Sequence, residues 1–209
     1  AKANPFINSK GEKQYKLVNF DMEEYRDLSI TVEVFKRALS LPEFHDLKAG
    51  IALQAYLPDS FEVLKDIIEF GKKRISEGKS PVRVRVVKGA NMDMESFESG
   101  ERNWNFTPFS KKHLTDANYK RMLTYALQPE NIKAVNIGIA SHNLFDIAFC
   151  YLFAKEQGVL NLCTFEMLSG MSPSVSRFLS KDVGLEVLLY LPFSSKEDFL
   201  KHLSQLEKE

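Results

Sequence analysis

Cysteine is scarce in this 209-residue chain: only Cys150 and Cys163 occur, and they form no CxxC pair. That scarcity speaks for a reducing compartment and against a disulfide or CxxC redox framework. The histidines, His45, His113, His142 and His202, are scattered, with no HxH, HExxH or Cys/His spacing, so no metal centre is expected. Charge of one sign is not in excess either. Lysine plus arginine (28) equals aspartate plus glutamate (28), which gives no sign of a nucleic-acid partner. No GxGxxG or GxxxxGK[ST] loop is present, and no GxSxG elbow of a serine hydrolase. Long apolar runs are missing too. The opening AKANPFINSKGEKQYK holds no apolar core of a secretory signal. The most apolar stretch, IGIASHNLFDIAFCYLFA, is interrupted by His142, Asn143 and Asp146, too polar for a membrane span. These absences leave a cytosolic enzyme domain as the plain expectation.

What is present is a regular alternation. Apolar runs of roughly 5–8 residues, the length of strands buried on both faces, occur around Leu17, from Gly50, from Val82, from Val135, around Phe165 and around Leu189. Helical segments separate them. Residues 27–41 place Ile30, Val34 and Leu39 near one stripe, with Ser29 as the expected N-cap. Residues 59–78 open with Asp59 and Ser60 as cap candidates and stop at Gly78. Further helices are expected over 110–129, 141–158 and 172–184, and 194–209 closes the chain. Strand–helix alternation of this kind predicts a parallel sheet with right-handed crossovers. The fold class is α/β with six βα units, either a doubly wound open sheet or a partial (β/α)8 TIM-type barrel. A doubly wound sheet usually carries a glycine-rich phosphate loop, and none is found. A barrel gathers polar residues at the C-terminal ends of many strands. Asp21, Gln54, Lys88, His142, Glu166 and Tyr190 fit that pattern, so the barrel is the expectation. One long connection, residues 90–110, follows the third strand and has the length of an active-site loop.

Alternation along a strand tests which side chains share a cavity. Arg83, Arg85, Val87 and Gly89 fall on one face of the third strand, and Val84, Val86 and Lys88 on the other. Asn19 with Asp21, and Ala52 with Gln54 and Tyr56, form two further same-face sets. Buried charges of this kind must be paired or bound to a ligand. From patterning alone, a structural polar network closing the barrel top stands beside a ligand site. Lys88, at a strand end, also admits a Schiff-base lyase.

Read in order, LVNFDMEEYRDL, GIALQAYLPDS, VRVVKGANMDME, DANYKRML, IASHNLFD and FEMLSGM resemble the proline dehydrogenase domain of the bifunctional bacterial proline-utilisation flavoenzymes, from about Tyr15 to Tyr190. The resemblance implies a distorted barrel binding FAD noncovalently, with residues 1–209 an incomplete domain holding family strands 3 to 8. It implies hydride transfer from L-proline to the flavin, giving pyrroline-5-carboxylate, with electrons passed to a membrane quinone. The location implied is cytoplasmic, with peripheral contact at the inner membrane. The partners implied are the remainder of the barrel and an NAD-dependent aldehyde dehydrogenase domain. Carried over by motif, Gln54, Arg85, Val87, Gly89, Ala90, Met92 and Glu166 fall beside the cofactor. Arg85 is a cation that favours the reduced ring, while Gly89 and Ala90 are small where backbone approaches a ring. Ser110, Lys112, Ser141, His142 and Asn143 complete the cofactor set, with Lys112 and its helix start suited to a pyrophosphate. Asp21, Asn91, Leu168 and Tyr190 fall on the substrate side; no general base is assigned. The family also has two strands ahead of Asp21, one with a lysine partner for it. Its last helix carries an arginine pair that clamps the substrate carboxylate. Gln205 and Leu206 stand at those arginine positions, and Asn91 and Met92 stand where many members have an aromatic pair. The expectation is therefore a fragment inactive by itself, with a non-catalytic barrel remnant that serves as an interaction module as the alternative.

Overall fold

The computed structural model describes residues 5–7, 11, 13–22, 24–102 and 108–191. The expected closing helix over 194–209, with Gln205 and Leu206, lies outside the described residues. A short antiparallel hairpin, β1 (Phe6–Ile7) with β2 (Lys13–Gln14), precedes the main sheet. The six apolar runs form β3 (Val18–Phe20), β4 (Ala49–Gln54), β5 (Val82–Val87), β6 (Val135–Ala140), β7 (Cys163–Leu168) and β8 (Val187–Tyr190). They pair in parallel and in chain order, β3-β4-β5-β6-β7-β8. A doubly wound sheet would reverse direction at a switch point. A sheet that never reverses keeps its crossover helices on one face and curls into a half-barrel.

The helices are α1 (Leu28–Ser40), α2 (Ser60–Ser76), α3 (Met92–Glu101), α4 (Lys112–Ala126), the single turn α5 (Pro129–Ile132), α6 (Leu144–Glu156) and α7 (Pro173–Lys181). The core lies between these helices and the outer face of the sheet. Ile51 and Leu53, Val82, Val84 and Val86, Ile137 and Ile139, and Phe165 and Met167 point into it. Each fully buried apolar side chain contributes roughly 1.5–3 kcal/mol. Helix α1 buries Leu28, Val32, Phe35 and Leu39, and Phe35 meets Phe20 edge-on at 5.4 Å.

Three local expectations are corrected. Ser29 is not a cap: a 3-10 turn over Tyr25–Asp27 runs straight into α1, so Asp27 takes the cap position with helical backbone and no side-chain cap bond. Ile30 and Val34 are exposed, because the spacing Leu28, Val32, Phe35, Leu39 sets the buried stripe around the larger Phe35 ring. The long connection is not all loop: its first half is helix α3, held by polar groups. Glu95 is buried and accepts the Tyr25 backbone N–H at 2.6 Å.

Arg74, fully buried on α2, joins the ends of several elements. It donates to the Leu39, His45 and Ser80 carbonyls, and burial lowers its pKa. Gly78, Gly158 and Gly184 terminate α2, α6 and α7 with left-handed backbone, as the sequence predicts.

Candidate functional site at the strand ends

The inner face of the sheet is polar by register. Gly50 pairs with Arg83, Ala52 with Arg85 and Gln54 with Val87. Arg85 pairs onward with Gly138, and Gly138 with Thr164. Glu166 lies between Ala140 and Leu188, and Leu168 beside Tyr190. The parity reading of β5 is borne out: Val82, Val84 and Val86 are buried under helices, while Arg83, Arg85 and Val87 are half-buried on the concave side.

Three charges meet there. Arg83 Nη2 donates to Glu166 Oε1 at 2.6 Å and to Thr164 Oγ1. Arg85 Nε lies 2.8 Å from Glu166 Oε2, an ion pair whose N–H is not aligned as a hydrogen bond. The Arg85 guanidinium sits over the Tyr190 ring, 5.2 Å from its centre. Gly138 makes this possible, since a Cβ there would overlap Glu166 Oε1. Arg85, Glu166 and Tyr190 are thus brought together, with Arg83 added. Alternation had put Arg83 on the right face, but no motif marked it.

His142 follows β6. Its Nε2 accepts the Leu168 N–H at 3.1 Å, which places the proton on Nδ1. That Nδ1 is buried without a hydrogen-bond partner among the described residues. Burial lowers the His142 pKa, so the ring is neutral. Asn143 caps α6 by accepting from the Phe145 and Asp146 N–H groups, and Ser141 Oγ accepts the Asn143 N–H at 3.1 Å. The turn is therefore rigid.

Lys88 points the other way, as parity implies. It is tied to Asp116 on α4 and to Asp146 on α6, the latter at 2.7 Å. Burial alone would lower its pKa, but the hydrogen bonds to the two carboxylates outweigh it and raise the value. An ammonium so held is a poor amine nucleophile, which speaks against a Schiff-base role.

Gln54 is buried and donates to the Met22 carbonyl at 2.7 Å. Gly89 has a φ of +104°, and the Tyr56 ring fills the space where a Cβ would project; the ring it makes room for in this fold is Tyr56. Ala90 is exposed. Asn91 sits at the N-cap of α3, and Met92, its first residue, packs on the core. Ser110 and Lys112 are exposed at the start of α4, which no side chain caps. Asp21 is exposed just past β3. Among the described residues, these three do not join the Arg83–Glu166–Arg85 cluster. A groove of about 1010 Å³ lies between α1 and α2, lined by Tyr25, Val32, Lys36, Asp59 and Asp66. It lies in the outer helical layer and has none of these groups.

The arrangement is independently familiar. A family model described as proline dehydrogenase matches residues 6–205. The structure is similar to proline utilization A (PutA) from Corynebacterium freiburgense, with a TM-score of 0.85 and 43% identity, covering 91% of this chain and 20% of that one. It is also similar to PutA from Bdellovibrio bacteriovorus inactivated by N-propargylglycine (0.79, 38%, covering 86% and 18%). A third likeness is to Bradyrhizobium japonicum PutA, a D778Y mutant (0.77, 26%, covering 88% and 18%). The chain thus spans about a fifth of the length of the proteins it resembles. No curated protein sequence matches it. With its parallel half-barrel and a family match running nearly end to end, the chain belongs to the proline dehydrogenase family.

Proposed function

We propose that this chain is the FAD-binding, L-proline-oxidising part of a larger protein of the proline-utilisation type. The observation that carries the reading is a pair of buried donors at the strand ends. Arg85 Nε and His142 Nδ1 both lack an aligned acceptor among the described residues, and buried donors are costly unless an acceptor arrives. An acceptor-rich planar cofactor fits them. Arg85 supplies positive charge where an electron-accepting ring would gain it, and His142 supplies a fixed neutral N–H donor. Gln54, Val87, Gly89, Ala90, Met92, Ser141, Asn143 and Glu166 form the surrounding shell. Ser110 and Lys112, at the uncapped start of α4, suit the pyrophosphate through charge and free backbone N–H groups.

The chemistry that FAD supplies when bound is acceptance of a hydride from the proline ring, which leaves pyrroline-5-carboxylate. The chain's own part is to bind, orient and exclude water. Leu168 and Tyr190 wall the substrate side, Tyr190 held by its stacking on Arg85. Asp21 and Asn91 border it. No general base is required of any of them.

No helix among the described residues is long and apolar enough to cross a membrane. On this reading the electron acceptor is a quinone met by peripheral contact at the inner membrane from the cytoplasmic side. The remainder of the barrel and an aldehyde dehydrogenase domain complete the proposed assembly; one solved relative is itself described as bifunctional.

The test is anaerobic mixing of L-proline with the flavin-loaded larger protein, in which these residues stand with the remainder of the barrel. The visible flavin band should bleach, and Arg85→Met should slow bleaching by tenfold or more, the loss of a charge-assisted contact of about 1.5–3 kcal/mol. A band untouched by L-proline would refute the function. Equal rates in the Arg85→Met variant would remove Arg85 from it.

A further inference from the structure

The inner face holds more charge than contact with one ligand requires. Arg83 lies on the same face as Arg85, two residues nearer the start of β5. Its guanidinium takes one oxygen of Glu166, while Arg85 lies against the other. The fold makes room for this on both sides. A Cβ at Gly138 would overlap Glu166 Oε1 and come within 3.1 Å of Arg83 Nη2, and one at Gly50 would lie 3.2 Å from Arg83 Cβ. The three side chains are little exposed, 14% for Arg83, 20% for Arg85 and 10% for Glu166, so their fields are weakly screened. By formal charge, Arg85 with Glu166 alone would sum to zero. Arg83 restores a net charge of plus one.

We propose that Arg83 is a positioning residue that engages Glu166 so that the Arg85 charge is not cancelled, and thereby raises the reduction potential of a flavin held at the strand ends. The inference rests on the FAD-binding reading above. A positive field stabilises the electron-rich reduced ring, so the sign of every substitution follows from the sum of charges. Arg83→Met takes the cluster to zero and disfavours reduction. Glu166→Gln takes it to plus two and favours reduction. The double variant returns it to plus one.

The experiment equilibrates the flavin-loaded protein with a redox dye of known potential and reads the ratio of reduced to oxidised flavin. Arg83→Met should lower that ratio severalfold, Glu166→Gln should raise it severalfold, and the double variant should return close to the starting value. Arg83→Lys, which keeps the charge, should change it least. Packing damage would move both single variants in the same direction, so opposite signs separate the two explanations. If Arg83→Met fails to fold, Arg83→Gln, which is also neutral, takes its place in both the single and the double variant. Shifts of one sign, no shift, or a double variant that does not return would overturn the proposal. A protein that takes up no flavin defeats the functional reading beneath it and this proposal with it. Retained flavin with an unmoved ratio defeats this proposal alone.

Discussion

His142 shows how far a single residue's surroundings determine its chemistry. The Leu168 N–H engages Nε2, so the neutral ring must carry its proton on Nδ1. Burial lowers its pKa. Below the ordinary histidine value near 6.5 the unfolded chain takes up a proton that the folded one resists, so stability is present above that value and is lost as the pH falls through the folded pKa. Nitrogen NMR of the histidines should find His142 neutral and Nδ1-protonated at pH 7, with a midpoint below the ordinary value near 6.5. An Nε2 proton, or a midpoint at or above 6.5, would contradict the geometry. Gly89 is constrained in a different way: its φ of +104° and the adjacent Tyr56 ring both oppose a side chain. Gly89→Ala should destabilise the fold by about 1–3 kcal/mol in denaturant unfolding; an unchanged midpoint would show that the turn adapts. The faces of Arg83, Arg85 and Val87 were legible from alternation alone. Their partner was not. Glu166 reaches them from two strands away across Gly138, and no local pattern links residues 83, 138 and 166.

Elements were legible where apolar side chains decide and obscure where polar ones do. Each of the six strands stands where a run of β-branched and apolar residues predicts it, because the apolar side chains of one face pack against helices while the other face, with Arg83, Arg85 and Glu166, looks into the barrel interior. Helix α3 has no apolar stripe to mark it in the sequence, because its buried residues are Glu95 and Ser99, spaced like a helix. Arg74 is unmarked in the sequence for the same reason. It is a buried charge on α2 whose worth lies in the carbonyls of Leu39, His45 and Ser80, which belong to three other segments. Removing it leaves buried acceptors unsatisfied, each costing about 1–3 kcal/mol. Arg74→Met should therefore lower the stability of the chain by on the order of 3 kcal/mol, and thermal unfolding should show it. A loss no larger than that of an exposed substitution such as Arg37→Met, whose ion pair with Glu33 lies on the surface, would mean that the carbonyls find other donors.

At the scale of the molecule, the order of the strands carries the most information. Sequential parallel pairing gathers the C-terminal ends of β4 to β8 along one rim, and that rim holds Gln54, Arg85, His142, Glu166 and Tyr190. The barrel was legible from the absence of a phosphate loop and from polar residues at strand ends; which of them touch was not. On the proposed reading Ser110 and Lys112, at the start of α4, hold the outer part of the cofactor, so one ligand would span from the inner face to that helix. Titration of FAD into the protein, followed by fluorescence, tests this most directly. Saturation at one FAD per chain is expected, weakened tenfold or more by Arg85→Met and by Lys112→Met, and unaffected by Ile30→Ser on the outer face of α1. Absence of saturable binding, or equal affinity in all three variants, would contradict the account.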